Sequence, residues 1–72
     1  MLYYFSIVSK AKNVEVRRAV AVDAEDKQDA ELHCFLQHEH LCADFGIFSM
    51  LEISALHYET ICDDLEIEKV IL

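Results

Sequence analysis

The segment Val14–Asp23, VEVRRAVAVD, constrains this chain most. Val14, Val16, Val20 and Val22 fall on one side of an extended backbone, and Arg18 alone interrupts their row; Glu15, Arg17, Ala19 and Ala21 fill the other side. A period of two in β-branched residues is the mark of a half-buried strand. Wound as a helix, the same valines would scatter around the axis. A half-buried strand needs a neighbour, and one lies just upstream. Residues 2–8, LYYFSIV, are β-formers, with Tyr3, Phe5 and Ile7 on one side of the pleat. The polar link Ser9–Asn13 has the length of a hairpin loop. The two runs read as an antiparallel hairpin.

A helix is expected next. Asp26 suits an N-cap, and Asp29 at N3 adds negative charge where the helix dipole favours it. From Lys27 to about Ala43 there is no β-branched residue, and Gly46, the only glycine, can supply a left-handed stop just past the end. Ile47–Ile53 (IFSMLEI) reads as a buried strand and Glu66–Leu72 (EIEKVIL) as a final one. The segment between them, SALHYETICDD, fits two templates. Ser54 as a cap, with Ala55, Tyr58, Ile61 and Leu65 on one stripe, suits a short helix. Tyr58, Thr60 and Cys62 suit a strand, which the β preference of Tyr, Thr and Ile favours. The expectation is an α+β fold: a single domain over residues 1–72, of order ββαββ, with one helix packed across one face of an antiparallel sheet.

Size and composition then bear on assembly. A chain of 72 residues buries only about 60% of its unfolded surface, yet 54% of these residues are hydrophobic. On the helix, His33, Gln37, His40 and Asp44 form a solvent stripe; Leu32, Phe35, Leu36 and Ala43 cluster on one flank, and Ala30, Cys34 and Leu41 on the other. A surface helix needs an apolar stripe only about 100° wide. The surplus predicts a homodimer whose interface draws on Cys34, Leu41, Phe35 and Leu36.

The stretch HCFLQHEHLC, residues 33–42, invites a metal reading. Cys34, His38 and Cys42 stand at i, i+4 and i+8, and neighbours one turn apart can share an ion. The outer two are about 12 Å apart along the axis, so one ion cannot hold all three. A closed tetrahedral site would need two more ligands, which Cys62, His57 or a second chain could supply. A zinc-binding regulatory domain using Cys34, His38, Cys42 and Cys62 is the alternative reading. The leading one treats Cys34 and Cys42 as small buried hydrophobes and the histidines as surface or interface groups, with no cofactor. No enzyme is expected: there is no phosphate loop, dinucleotide fingerprint or HExxH, and no glycine-bearing loop to cradle an anion.

Three cysteines make no disulfide framework. The LYYFSIV after Met1 has neither a basic n-region nor a cleavage site, and no apolar run approaches a membrane span of about 18 residues. A reducing, cytoplasmic setting away from membranes is expected.

The net charge of −8 is unevenly spread. Residues 1–22 carry Lys10, Lys12, Arg17 and Arg18 against Glu15; residues 23–72 carry 13 acids against Lys27 and Lys69. Such a surface repels nucleic acid and attracts basic protein surfaces. DDLEIE, residues 63–68, concentrates the acidity. If extended, it would align Asp64, Glu66 and Glu68 about 6.6 Å apart, near the spacing of successive phosphates. It could thus occupy a groove built for nucleic acid. The same carboxylates could instead protect a sheet edge, or pair with the basic hairpin.

In size, acidity and element order (a strand pair, a helix opening at an acidic cap, then more strands) the chain resembles the small phage-encoded inhibitors of bacterial defence systems, anti-CRISPR proteins among them. The resemblance implies a non-enzymatic inhibitor that occupies a surface of a nucleic-acid-handling complex. On charge alone, the expected partner-binding residues are Asp63, Asp64, Glu66 and Glu68.

Overall fold

A computed structural model describes residues 1–44, 46–64 and 66–72, with Asp44 described for its backbone only. It is an α+β fold with element order ββαβαβ. Strands β1 (Leu2–Ala11) and β2 (Val14–Asp23) form the hairpin. Helix α1 (Lys27–Asp44), strand β3 (Ile47–Ile53), helix α2 (Ala55–Ile61) and strand β4 (Glu68–Ile71) follow. The sheet order is β3-β1-β2-β4; β3 and β2 are antiparallel to β1, and β4 is parallel to β2.

The hairpin is tighter than expected. The polar link at residues 9–13 is strand through Ala11, and Ala11 pairs directly with Val14. Lys12 and Asn13 alone turn the chain, with Lys12 in the left-handed region at φ 54°. Two-residue hairpins demand such a backbone, because only a turn of that hand matches the twist of the strands it joins.

The register assigns every strand residue to a face. Tyr3, Phe5 and Ile7 of β1 meet Val22, Val20 and Arg18 of β2, and continue into Glu52 and Met50 of β3. Helix α1 covers this face. Phe5, Ile7, Val20, Val22, Ala30, Cys34 and Leu41 form the main core, with Phe48, Met50 and Val70 packed around it. The α1 N-terminus is capped as its sequence predicts: Asp29 N–H donates to Asp26 Oδ1 at 2.8 Å. The stop is different. Gly46 does not adopt positive φ, so it provides no left-handed cap.

Helix α2 lies on the opposite face, where a single-helix fold has nothing. The segment expected as a strand with Tyr58, Thr60 and Cys62 is helical instead. Ser54 Oγ accepts from His57 N–H at 3.1 Å and caps the helix, and Thr60 Oγ1 donates back to the Leu56 carbonyl at 2.9 Å. Tyr58 then packs on Ala19 and Ala21, with Tyr4, Ile53, Ile61 and Cys62 around them. The small side of β2 leaves room for a helix, and burying a tyrosine there outweighs a β propensity worth a fraction of a kcal/mol. Leu65, assigned to the same stripe, lies outside the described residues.

The sheet is mixed rather than antiparallel. β4 joins β2 in the same direction, placing Glu68 beside Arg18, Lys69 beside Ala19 and Val70 beside Val20. No helix among the described residues is long and apolar enough to cross a membrane.

Candidate protein-interaction site

The four carboxylates expected to bind a partner do not form a row. Asp63, Asp64 and Glu66 precede β4 in a turn: Ile67 N–H donates to the Asp64 carbonyl at 3.2 Å, and Glu66 N–H donates to Asp64 Oδ1 at 2.9 Å. Of the four, Glu68 alone stands on a strand. The phosphate-like spacing that an extended 64–68 would produce is therefore absent. A turn brings backbone donors to the Asp64 side chain, an arrangement that aspartate favours and a strand cannot offer.

Two of these carboxylates meet the basic hairpin within the same chain. Arg18 Nε donates to Glu68 Oε2 at 2.9 Å, and Arg17 Nη1 lies 4.0 Å from Glu66 Oε2. Arg17 also lies 3.9 Å from Glu15. Lys27 bridges Glu31 at 3.7 Å and Glu52 at 3.8 Å, and Lys69 Nζ sits 5.9 Å above the Tyr58 ring. Asp63 and Asp64 are exposed and have no ion-pair partner among the described residues. Among the described residues Lys10, Lys12 and Lys69 have no carboxylate partner, Lys10 and Lys12 standing at the hairpin tip. Three of the six Lys and Arg side chains are thus matched by carboxylates of the same chain at its surface, and the net balance left to partners is acidic.

The residues expected at a dimer interface divide between two environments. Cys34 and Leu41 are buried in the core against the sheet and are unavailable to a second copy. Phe35 and Leu36 are exposed, as is Leu32 beside them. The helix has one covered flank and one open one; the surplus lies on the open flank alone. Phe35 closes that flank toward β3, its ring meeting Phe48 edge-on with centroids 6.2 Å apart.

The metal reading loses its geometry. Cys34 and His38 face the core under α1, Cys42 is exposed, and Cys62 belongs to the cluster on the other face of the sheet. No three His, Cys, Asp or Glu side chains among the described residues come together around a possible ion. Cys42 is thus not the buried hydrophobe expected of it, and His38 is not the surface group expected of it. His38 continues the stripe Ala30, Cys34, His38, Leu41 into the core, a spacing visible in the sequence. Its Nδ1 donates to the Cys34 carbonyl at 2.7 Å, which makes Nδ1 the protonated nitrogen of the neutral ring. Burial lowers its pKa, and the charges of Arg18 and His40 lower it further; the Cys34 hydrogen bond and the Glu68 charge oppose them. The Cys34 thiol is pushed up to about 11 by burial, which makes it a poor nucleophile and a poor metal ligand.

No protein-family model, curated protein or solved structure matches this chain.

Proposed function

We propose that this chain is a non-enzymatic, acidic interaction module that works as a homodimer and docks on a basic surface of a nucleic-acid-handling protein complex, inhibiting it by occupying that surface. The observation that carries the reading is the division of charge. Arg17, Arg18 and Lys27 are engaged with carboxylates of the same chain, while Asp63 and Asp64 stay exposed and Glu66 is only loosely held. A body of net charge −8, half of whose Lys and Arg side chains are already paired within the chain, is steered toward positive potential and away from phosphate. Glu68 is excluded from the contact set, because its carboxylate holds Arg18. A reducing, cytoplasmic setting accords with the three cysteines, all of them free thiols.

The test uses a purified RNA-guided DNA-binding complex from a bacterial immune system, with target-DNA binding as the readout. Added chain should suppress target binding, and suppression should weaken steeply between roughly 50 and 300 mM salt as exposed charges are screened. The variant Asp63→Asn/Asp64→Asn/Glu66→Gln should lose about tenfold or more in potency, or about 1.4 kcal/mol. Equal potency across that salt range and in the variant would overturn the acidic contact.

A further inference from the structure

We infer that β3 is a pairing edge for a second copy of this chain, so that the homodimer proposed above is built by joining two four-stranded sheets into one.

Both sheet edges are open, and they are not alike. β4 is four residues long and presents Glu68 and Lys69 side by side, a short and charged edge of the kind that discourages pairing. β3 is seven residues long, IFSMLEI, and carries one charge. That charge, Glu52, is already held by Lys27 at 3.8 Å. The outer backbone donors and acceptors of β3 have no strand to meet among the described residues, so the ligand they specify is an extended segment with matching alternation.

Two-fold geometry selects β3 itself as that segment. Antiparallel pairing of identical strands places the axis normal to the sheet, and opposed residues share a face. Centring the axis on Met50 pairs all seven residues: Met50 with its own copy, Ser49 with Leu51, Phe48 with Glu52 and Ile47 with Ile53. No like charges oppose one another in this register. The apolar side chains that β3 leaves exposed, Ile47 and Leu51, both 64% exposed, come to lie along the seam on the α2 face. On the other face the same axis brings the two copies of α1 to one side of the joined sheet. The open flank of α1 with Phe35, set against Phe48 of β3, then turns toward its counterpart. Exposed apolar groups on both sides of the sheet, Ile47 and Leu51 on one and Phe35 of α1 on the other, are accounted for by a single operation. Another protein's strand could satisfy the backbone, but it would have to supply both faces independently.

The register makes the test specific, because Ser49 and Leu51 are exposed in the monomer and opposed in the dimer. Sedimentation equilibrium from micromolar to near-millimolar chain should find wild type dimeric, with the dimer strengthened by salt because two copies of net charge −8 repel. Ser49→Lys/Leu51→Lys sets lysines against lysines at two symmetric positions and should weaken dimerisation at least tenfold while keeping the circular-dichroism spectrum. Ser49→Glu/Leu51→Lys sets opposite charges there and should restore it. A wild-type dimer indifferent to the double lysine variant overturns β3 pairing and leaves the homodimer standing. A monomeric wild type overturns both.

Discussion

Arg18 Nε and Glu68 Oε2 lie 2.9 Å apart, on residues that are also cross-strand partners in the parallel pair of β2 and β4. Arg18 is the one charged residue in the valine row of β2. Its place there follows from the strand beside it: the side chain, 21% exposed, reaches β4 across 50 residues of sequence and pins its register. Replacing Glu68 with Gln leaves a largely covered arginine side chain short of its charge partner. A double-mutant cycle of Arg18→Met and Glu68→Gln, read by urea unfolding, should give a coupling energy of about 1 kcal/mol, the upper end for ion pairs open to water. A coupling indistinguishable from zero would mean that the pair positions nothing.

Stability should fall as the solution is acidified below neutrality, and His38 should be a principal cause. Its folded pKa lies below the ordinary value of 6.5. Between that lowered value and 6.5 the unfolded chain binds a proton that the folded chain refuses, so stability rises with pH across this window and is lost as pH falls through it. Urea midpoints at pH 7.5 and 5.5 should differ for wild type, and the difference should shrink in His38→Leu. The same pH dependence in wild type and variant would place the acid sensitivity elsewhere.

Ser9 Oγ and Tyr58 Oη are buried and have no hydrogen-bond partner among the described residues. Burial pushes the Tyr58 phenol up to about 12, and the neighbouring Cys62 thiol and Tyr4 add to the shift, although no hydrogen-bond geometry joins Tyr58 to Cys62. An orphaned hydroxyl costs about 1–3 kcal/mol of desolvation. Ser9→Ala and Tyr58→Phe should therefore match or exceed wild type in thermal unfolding. A loss of more than about 1 kcal/mol in either would show that the hydroxyl has a partner in solution.

Helix α2 depends on its first turn. At seven residues it is too short to hold by propensity, and the Ser54 cap supplies one of its few local supports. Ser54→Ala should cost about 1 kcal/mol, and Tyr58→Ala about 3–5 kcal/mol. Hydrogen exchange should show both losses concentrated in residues 55–61.

The three thiols should react in the order of their exposure. Cys42 is exposed, Cys62 half-buried, and Cys34 buried with its pKa raised to about 11. A maleimide added to folded protein should label Cys42 first, and Cys34 only after denaturant. Labelling of Cys34 at the rate of Cys42 would contradict its place in the core.

The sequence by itself determined what short-range physics decides. The valine alternation of β2, the hairpin with β1, the Asp26 cap of α1 and the span of β3 each follow from spacings inside one segment, where a side chain's neighbours are its sequence neighbours. Ser54 as a possible cap was equally visible. Whether it acted as one depended on Ala19 and Ala21, more than thirty residues away, leaving a shelf for Tyr58. The tertiary structure alone decided that β4 runs parallel to β2, that Glu66 and Glu68 turn back to Arg17 and Arg18, and that of two apolar flanks on α1 the one with Cys34 and Leu41 meets the sheet. Each of those outcomes is a choice among distant partners of nearly equal chemistry, and only simultaneous packing of both sheet faces tells them apart.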